Sequence, residues 1–388
     1  MNTRTLAAVY RKEMLELFRD RRTMISMVVV PLVLFPLLFA AMSKFMKAQS
    51  DAAQNAAVIV GVSSEQSLGG AAAALKAAGV QLVTTRNLRQ AVEQKQVSAA
   101  LRVINRPDGS VQFQILADQT RDTSKAAGAK VDAALQAYKS SVVAAKLRGL
   151  GVPESTLSAV AIQSVNIASN EKMGSFILGG MAGYLMLLLM FTGAMYPAID
   201  TGAGEKERHT LEALLASPAS RLEIIIGKIA ACATASFLTA FLSLVSFLYF
   251  GKNALASLAQ SNMRFSVGLP TAALALGSVI PIAILAASAM VAISLLAKSY
   301  KEGQSYIMPL LMCVIFPIVL GTFTNLELTP AIALIPVFNT ALAMKQIFTG
   351  SITVVSFSLA LILNLLYAAV LTAVAVRVFS NEKALFRT

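Results

Sequence analysis

The sequence predicts an α-helical protein that crosses a membrane six times, with an α/β domain inserted between spans 1 and 2. Of its 388 residues, 56% are hydrophobic and only 14% are charged, whereas soluble domains carry about 25% charged residues. Several apolar runs of roughly 20 residues are long enough to cross the hydrocarbon core of a bilayer. The net charge of +13 comes from Lys and Arg that are scattered or flank these runs. It therefore indicates orientation in a membrane, not binding of nucleic acid.

A basic amphipathic helix is predicted over residues 1–23, on the cytoplasmic side. Its apolar face consists of Leu6, Val9, Tyr10, Met14, Leu17 and Phe18. The rest of its surface carries Arg4, Arg11, Lys12, Arg19, Arg21 and Arg22. Helices of this kind lie at membrane surfaces. This one is too long and too amphipathic to be the start of a cleaved signal peptide.

The first span is predicted at 24–46, with kinks at Pro31 and Pro36 that a bundle interior tolerates. Residues 47–172 are polar and Ala-rich by contrast, and they alternate between strand-like and helix-like stretches such as "AAVIVGV" and "LGGAAAALKAAG". This alternation predicts a small α/β domain. Because the domain follows a span that leaves the cytoplasm, we expect it to be extracytoplasmic. Long domains are translocated regardless of their charge.

The remaining spans fall within 173–378. They are predicted at 173–198, 223–250, 270–297, 306–323 and 353–377. The apolar stretch at 328–348 is interrupted by Pro330 and Pro336, so it predicts a re-entrant pair of outer helices, not another span. The distribution of Lys and Arg places both termini, including a tail at 379–388, on the cytoplasmic side of the inner membrane.

The stretch "GEKERHTLEALLASP" begins at Gly204 and predicts a short cytoplasmic helix over 203–218. Gly202 and Gly204 are expected to break the preceding span, and Pro218 to end the new helix. Its apolar stripe is Leu211, Leu214 and Leu215, and its charged residues include Glu205, Glu207, Arg208 and Glu212. Acidic residues oppose binding to anionic headgroups. The helix is therefore predicted to place its apolar stripe in a groove of a cytoplasmic protein.

A resemblance to a known family supports this interpretation. The stretch "GEKERHTLEALLASPASRLEIIIGK" resembles the coupling segment of type-2 ABC exporter membrane subunits, E-x-E-x-G-T-x-x-x-L followed by Pro and a Lys at the next span. The matching residues are Glu205, Glu207, Thr210, Leu211, Leu214, Pro218 and Lys228. The sequence departs from the pattern at His209, where Gly is common.

Other stretches are similar to the sodium-efflux ABC permeases of the NatB type. "RKEMLELFRDRRTMISMVVVPLVLFPLL" resembles their elbow helix and first span. "NLRQAVEQKQVSAALRVI" resembles a strand-forming repeat of their outer domain, and "IPVFNTALAMKQIFTG" resembles their re-entrant helices.

This resemblance implies a homodimeric permease that exports sodium and works with two copies of a cytoplasmic ATPase subunit, which binds ATP and Mg. The residues implied in ATPase coupling are Glu205, Glu207, Arg208, Thr210, Leu211, Leu214 and Leu215. The chain has no G-x-x-x-x-G-K-[ST] motif, so it is not expected to be an enzyme or to bind a cofactor itself. Export of a lipid, drug or other amphiphile is an alternative substrate assignment. A membrane sensor with a ligand-binding outer domain is a second alternative.

Polar and small residues inside the spans have two interpretations each. Ser236, Thr239, Ser243 and Ser246 form one hydroxyl stripe, which predicts either a cation path or close helix packing. Gly179 and Gly183 suit a close helix contact or a dimer interface. The arginines at 19, 21 and 22 are expected to contact either the ATPase or lipid headgroups.

Other side chains offer little chemistry. Asn339, Asn364 and Tyr367 are expected to be structural. Cys232 and Cys313 are treated as small apolar residues, and the single histidine excludes a His-rich metal site.

Overall fold

The computed structural model describes residues 2–55, 58–107, 111–118, 121–150, 170–257, 267–323 and 326–381. The chain forms two compact units, Met1–Ser43 together with Ile167–Thr388, and Lys44–Asn166. The part of the predicted α/β domain over 151–169, and the predicted tail beyond residue 381, lie outside the described residues.

Fifteen α-helices and four strands are present in the described ranges. The helices are α1 (Thr3–Arg19), α2 (Arg21–Met24), α3 (Val30–Asn55), α4 (Gly70–Ala77), α5 (Leu88–Glu93), α6 (Asp122–Gly149), α7 (Asn170–Ile199), α8 (Glu205–Glu207), α9 (Thr210–Leu215), α10 (Arg221–Ser257), α11 (Leu269–Ser294), α12 (Tyr300–Phe323), α13 (Pro330–Ala333), α14 (Phe338–Thr349) and α15 (Val354–Ser380). The strands are β1 (Val58–Val62), β2 (Val80–Thr84), β3 (Ala99–Asn105) and β4 (Val111–Leu116).

Within the part of the chain that the structure describes, six helical stretches are long and apolar enough to cross a membrane, as predicted. They are Arg21–Lys44, Gly179–Glu207, Arg221–Gly251, Leu269–Ser294, Tyr300–Gly321 and Val354–Ser380. The core of this helical unit is made by apolar side chains of α7, α10 and α11, among them Met190, Ile225 and Met290. The mostly helical class predicted from composition and apolar runs is therefore confirmed.

Two of the spans contain a wide π-helical turn beside a proline. The turn Ile25–Val29 lies just before Pro31, and the Val30 N–H donates to the Ile25 carbonyl, five residues back. A second turn, Asp200–Gly204, follows Pro197, which lies inside α7. Proline lacks an N–H and crowds the turn before it, so the first π turn lets the helix continue past the interruption at Pro31.

The prediction that Gly202 and Gly204 break the second span is wrong. The helix continues through both glycines as the π turn Asp200–Gly204 and runs directly into α8. A Cβ at Gly202 would lie 2.1 Å from the Ser294 hydroxyl oxygen. This glycine is required for close packing on α11, and its conformational freedom does not end the helix here.

The predicted helix over 203–218 is also not a single helix. It is divided into α8 and α9 by His209, whose φ of 59° is left-handed. This is the position where the resembling family commonly has glycine, the residue that adopts positive φ most readily. Helix α9 ends at Leu215, three residues before Pro218.

The second unit is a small α/β domain, as the alternating pattern predicts. Its sheet has the strand order β2-β1-β3-β4, with β1 parallel to both β2 and β3 and with β4 antiparallel to β3. The parallel pairs require helical crossovers, which are α4 and α5. Val60, Leu75, Leu101 and Val131 form part of its core.

Residues 328–348, where a re-entrant pair was predicted, contain two helices that meet near Val337, which has a φ of 69°. Helix α13 has 4 residues and α14 has 12. A 12-residue helix is about 18 Å long, which is less than the roughly 30 Å of a bilayer core. Neither helix can cross a membrane alone.

Candidate functional site

Helix α1 lies directly on the first turns of α10. The Asn2 N–H donates to Glu223 Oε1 at 2.5 Å, and the hydroxyls of Tyr10 and Thr234 are 3.1 Å apart. Between these contacts, a Cβ at Gly227 would lie 2.7 Å from Val9 Cγ1. The absence of a side chain at Gly227 therefore lets α1 approach the backbone of α10.

The face that α1 buries includes an acidic residue. Val9 and Leu17 of the predicted apolar face are buried, whereas Phe18 remains 51% exposed. Between them, Glu13 is completely buried. The sequence analysis missed this residue, although its position gave a signal. Glu13 lies four residues from both Val9 and Leu17, so it shares their helix face.

The partner of Glu13 is Lys228, one residue after Gly227 on α10. The Lys228 Nζ lies 2.9 Å from Glu13 Oε1 and 2.7 Å from Glu205 Oε2. It also donates to the carbonyl oxygen of Thr201, in the π turn, at 3.0 Å. All three charged side chains are at most 2% exposed. Buried charges are tolerated when they are paired and hydrogen-bonded, and Lys228 provides this pairing to two carboxylates at once.

A second lysine closes the cluster from its exposed side. The Lys12 Nζ lies 2.5 Å from Glu205 Oε1, 3.1 Å from Glu13 Oε1 and 3.2 Å from Glu16 Oε2. Burial lowers the pKa of Lys12, but the charges of Glu13 and Glu205 outweigh that effect and hold its pKa above the ordinary value. Lys12 and Glu16 are 38% and 44% exposed, so the cluster reaches solvent only at this edge.

The cluster has three carboxylates and two ammonium groups. Glu13 Oε2 has no hydrogen-bond partner among the described residues. Glu205 Oε2 lies close to the Lys228 Nζ, as given above, but without hydrogen-bond geometry, so their attraction is that of an ion pair. Oxygens of Glu13, Glu16 and Glu205 lie within 4.8 Å of one another, a spacing that a metal ion accepts. The ammonium of Lys12 lies among these oxygens.

We call residues 204–218 the coupling segment, after the family that they resemble. The structure corrects the prediction that its apolar stripe fits a groove on a partner. Leu211 is buried, and Leu214 and Leu215 are partly buried, against the helical core of this same chain. Glu205 was predicted to contact a partner as well, but its carboxylate is enclosed with Lys228 and Lys12.

Five polar residues of the coupling segment remain exposed and form a polar surface. They are Glu207, Arg208, His209, Thr210 and Glu212. Glu207 Oε2 accepts the Tyr300 N–H at the start of α12 at 2.7 Å. Arg208 Nη1 donates to Asp200 Oδ1 at 2.8 Å, and this hydrogen bond raises the pKa of Arg208.

Of the arginines following α1, Arg22 has a described contact. Its guanidinium carbon lies 5.9 Å from the centre of the Tyr300 ring, a distance suited to a cation–π interaction. Tyr300 is thus approached by the α2 arginine and by Glu207. These contacts bring α2, α8 and the start of α12 to one end of the helical unit.

Comparison with known proteins identifies the family. The family model described as "ABC-2 family transporter protein" matches residues 21–377. The chain belongs to the ABC-2 transporter family. The ABC transporter permease protein NatB of Bacillus subtilis (strain 168) is 26% identical over 360 residues, which cover 89% of this chain and 90% of that protein. No solved structure matches the chain.

Membership fixes the general role of this ABC-2 protein, which is a membrane permease that associates with a cytoplasmic ATPase subunit. The predicted resemblance of this chain to ABC permeases is confirmed. Sensor function, the second alternative from the sequence, has no support in these comparisons.

The hydroxyl stripe of this permease lies inside the helix bundle. Ser236, Thr239, Ser243 and Ser246 are all buried. The Ser236 hydroxyl donates to the Met190 carbonyl of α7 at 2.9 Å, and Thr239 donates to a carbonyl of its own helix. A Cβ at Gly193 would lie 2.2 Å from the Thr239 hydroxyl oxygen. These contacts favour helix packing over the alternative of a cation path.

The predicted small-residue pair on α7 packs against α14. A Cβ at Gly179 would lie 2.4 Å from the Cβ of Phe348, and a Cβ at Gly183 would lie 2.8 Å from that of Met344. Two alternatives were predicted for Gly179 and Gly183. The contacts support the first, a close helix contact within one chain, over the second, a dimer interface.

The polar residues of α14 and α15 satisfy one another. The amide groups of Asn339 and Asn364 exchange hydrogen bonds of 3.2 and 3.1 Å, and Asn364 also donates to the Thr340 hydroxyl at 2.8 Å. The Tyr367 hydroxyl donates to the Leu334 carbonyl at 2.7 Å. Their geometry is that of structural residues, which need partners in a membrane interior.

Proposed function

We propose that this ABC-2 permease is the transmembrane subunit of an ATP-driven exporter, with sodium as its cargo. The observation that carries the coupling role is the arrangement of the coupling segment. It exposes a polar surface while its buried residues join α1 and α10 in one charged cluster. The assignment of sodium rests on the resemblance to the sodium-efflux permeases of the NatB type.

The exposed face of the coupling segment is the proposed docking surface for the ATPase subunit. Glu207, Arg208, Thr210 and Glu212 project from it, with both signs of charge available for complementary pairing. The chain has no P-loop motif of its own, so we assign ATP and Mg binding to the partner. When the ATPase binds ATP, movement of this surface then starts the conformational change of the permease.

The orientation follows from the elements that meet at this end of the helical unit. Lys12 of α1 contacts Glu205, and Glu207 contacts the start of α12, so these elements share one side of the membrane. Arg19, Arg21 and Arg22 lie beside them, and basic residues favour the cytoplasm. We therefore place this end, and both termini, in the cytoplasm of an inner-membrane protein.

Counting spans from that end gives the remaining proposals. The α/β domain of Lys44–Asn166 follows the first span and is assigned to the extracytoplasmic side. Helices α13 and α14 lie between the fifth and sixth spans and are assigned as a re-entrant pair on that same side. Helix α1 is assigned as the elbow helix, and the working complex as a homodimer with two ATPase subunits.

An apolar groove favours one alternative cargo. Residues of α10, α11 and α15 line a groove of about 530 Å³ with almost no polar surface. They include Leu222, Ile284, Leu365, Ala368, Thr372 and Val376. An open apolar groove between spans suits an acyl chain better than a cation, so export of a lipid or other amphiphile is the second candidate function.

The test uses inside-out vesicles that contain the permease with its co-expressed ATPase. We expect ATP-dependent uptake of radioactive sodium, and no uptake when the P-loop lysine of the ATPase is replaced. A complex that hydrolyses ATP without moving sodium contradicts the sodium assignment. Stimulation of its ATPase activity by a lipid or an amphiphilic drug would then support the groove as the path.

A further inference from the structure

Three separate elements meet at the ammonium of Lys228. Glu13 comes from α1, Glu205 from the start of the coupling segment, and Lys228 itself from α10. The same Nζ also holds the carbonyl of Thr201, in the turn that joins α7 to the coupling segment. We call Glu13, Lys228 and Glu205 the charged hub.

The hub resists separation because its members are buried. Removing either carboxylate from the ammonium takes a partner from charges that are at most 2% exposed, which is more costly than breaking a surface ion pair. The coupling segment therefore cannot move away from α10 or α1 without exposing or unpairing these groups.

Packing reinforces the same connection between α1 and α10. Val9 contacts the backbone at Gly227 on one side of Glu13, and Asn2 and Tyr10 bond to α10 at either end of that contact. The contacts lie along the first three to four turns of α10, from Glu223 to Thr234. A displacement of the coupling segment is thus transmitted to both helices together.

We propose that the charged hub makes α1 part of the coupling apparatus, so that α1, the coupling segment and the start of α10 move as one unit when the ATPase changes state. Glu13 and Lys228 are positioning residues, because they act through the coupling segment and not by touching nucleotide or cargo. This inference rests on the proposed docking of the ATPase at the coupling segment.

The first test measures whether the unit is rigid. Spin labels are placed at the exposed positions Ala8 and Ala213, in a Cys313→Ser background of the full complex in lipid. Distances are compared without nucleotide and with ATP trapped on a hydrolysis-deficient ATPase. We expect the same distance distribution in both states. A distribution that shifts or splits between the two states overturns the proposal, whatever the cargo is.

The second test asks whether the hub matters for coupling. Glu13→Gln retains the shape of the side chain and can accept one hydrogen bond, but it removes the charge that holds α1 to Lys228. We expect the amount of sodium moved per ATP hydrolysed to fall about fivefold or more, the lower end of measured coupling effects. The ATPase should stay bound and active.

Glu16→Gln is the matched control for this variant. It removes a carboxylate from the same helix and from the neighbourhood of Lys12, but Glu16 does not contact Lys228. We expect Glu16→Gln to move as much sodium per ATP hydrolysed as the wild type does. A wild-type ratio in Glu13→Gln overturns the proposal, as does an equal loss in both variants. If the wild-type complex does not move sodium, the proposed cargo is contradicted instead. The spin-label distances then test by themselves whether the charged hub holds α1 and the coupling segment together.

Discussion

The ammonium of Lys228 lies 2.9 Å from the carboxylate of Glu13, although the two residues are 215 positions apart in the chain. This ion pair joins the N-terminal helix to the start of the third span. Through Glu205, the same ammonium joins both helices to the coupling segment. The family resemblance identified Lys228 and Glu205 as motif residues, and the structure shows that they are partners of each other.

Replacing Lys228 tests the energetics of the hub. Lys228→Met leaves Glu13 and Glu205 with only the partly exposed Lys12 as a counter-charge, so we expect the free energy of unfolding to fall by up to about 3–5 kcal/mol. Thermal unfolding of the purified protein in detergent measures the effect. The triple variant Glu13→Gln, Glu205→Gln, Lys228→Met removes all three charges and should recover most of the loss. A single variant as stable as the triple contradicts the assignment of the cost to unpaired charge.

Replacing Gly179 tests the contact between α7 and α14. A Cβ at Gly179 would lie 2.4 Å from the Cβ of Phe348, so Gly179→Ala forces the helices apart and should cost about 1–3 kcal/mol of stability. Gly277→Ala is the control, because no described atom lies within 4 Å of a Cβ built there. It should be neutral or stabilising by up to about 1 kcal/mol. Equal melting temperatures for the two variants disagree with this packing.

Asp20 should make a pH-dependent contribution at the start of α2. Its carboxylate accepts the N–H groups of Arg22 and Thr23 and the Thr23 hydroxyl. Burial raises the pKa of Asp20, but the lowering by these hydrogen bonds is larger. The pKa of Asp20 therefore lies below its ordinary value. A carboxyl whose pKa is lowered by folding stabilises the folded state above its unfolded pKa of about 3.9, and this stabilisation is lost as the pH falls through the folded pKa.

The expected result is a difference between variants that depends on pH. Asp20→Ala should lower stability by about 1 kcal/mol at neutral pH, as for other N-cap losses. Its deficit relative to wild type should begin to shrink below about pH 4, where Asp20 of the unfolded chain takes up a proton, and should shrink further as the pH falls through the lowered pKa of the folded protein. Asp20→Asn retains a capping oxygen without titrating and should show no such trend. Melting curves at pH 7, 5 and 3 are measured for all three proteins. A stability deficit of Asp20→Ala that grows at low pH contradicts the lowered pKa of Asp20.

His209 should carry backbone strain in the coupling segment. Its φ of 59° is unfavourable for a residue with a Cβ, by about 1–2 kcal/mol in the left-handed region. We expect His209→Gly to maintain or raise the melting temperature, and the β-branched His209→Val to lower it. The order of the three melting temperatures is the measurement, and a valine variant as stable as the glycine variant is incompatible with this turn.

Local features of the chain were predictable because they depend on neighbouring residues. Apolar runs of span length identified all six candidate spans, and the alternation of strand-like and helix-like stretches in 47–172 identified the α/β domain. The positive φ at His209 agrees with the family position at which glycine is common. Each of these signals lies within a window of about 20 residues, which periodicity and turn chemistry describe well.

Errors arose where a residue serves a distant contact. Gly202 resembles a helix breaker in sequence, yet it lies inside a continuous helix. A glycine is needed there because Ser294 of α11 occupies the space that a side chain would fill. The stripe containing Leu211 resembles a docking face for another protein, yet this chain's own helices bury Leu211 and partly bury Leu214 and Leu215. In both cases the local pattern is correct, but it does not identify which surface the residue contacts.

The sequence by itself determined the membrane class, the six candidate spans, the inserted α/β domain and the family motif around Glu205. Only the tertiary structure showed that Glu13 belongs with that motif, because its partner Lys228 is brought to it by the packing of α1 on α10. A charge on an apolar helix face can be recognised from spacing alone. Its counter-charge can be identified only when the fold has brought distant helices together, since burial makes pairing necessary without specifying the partner.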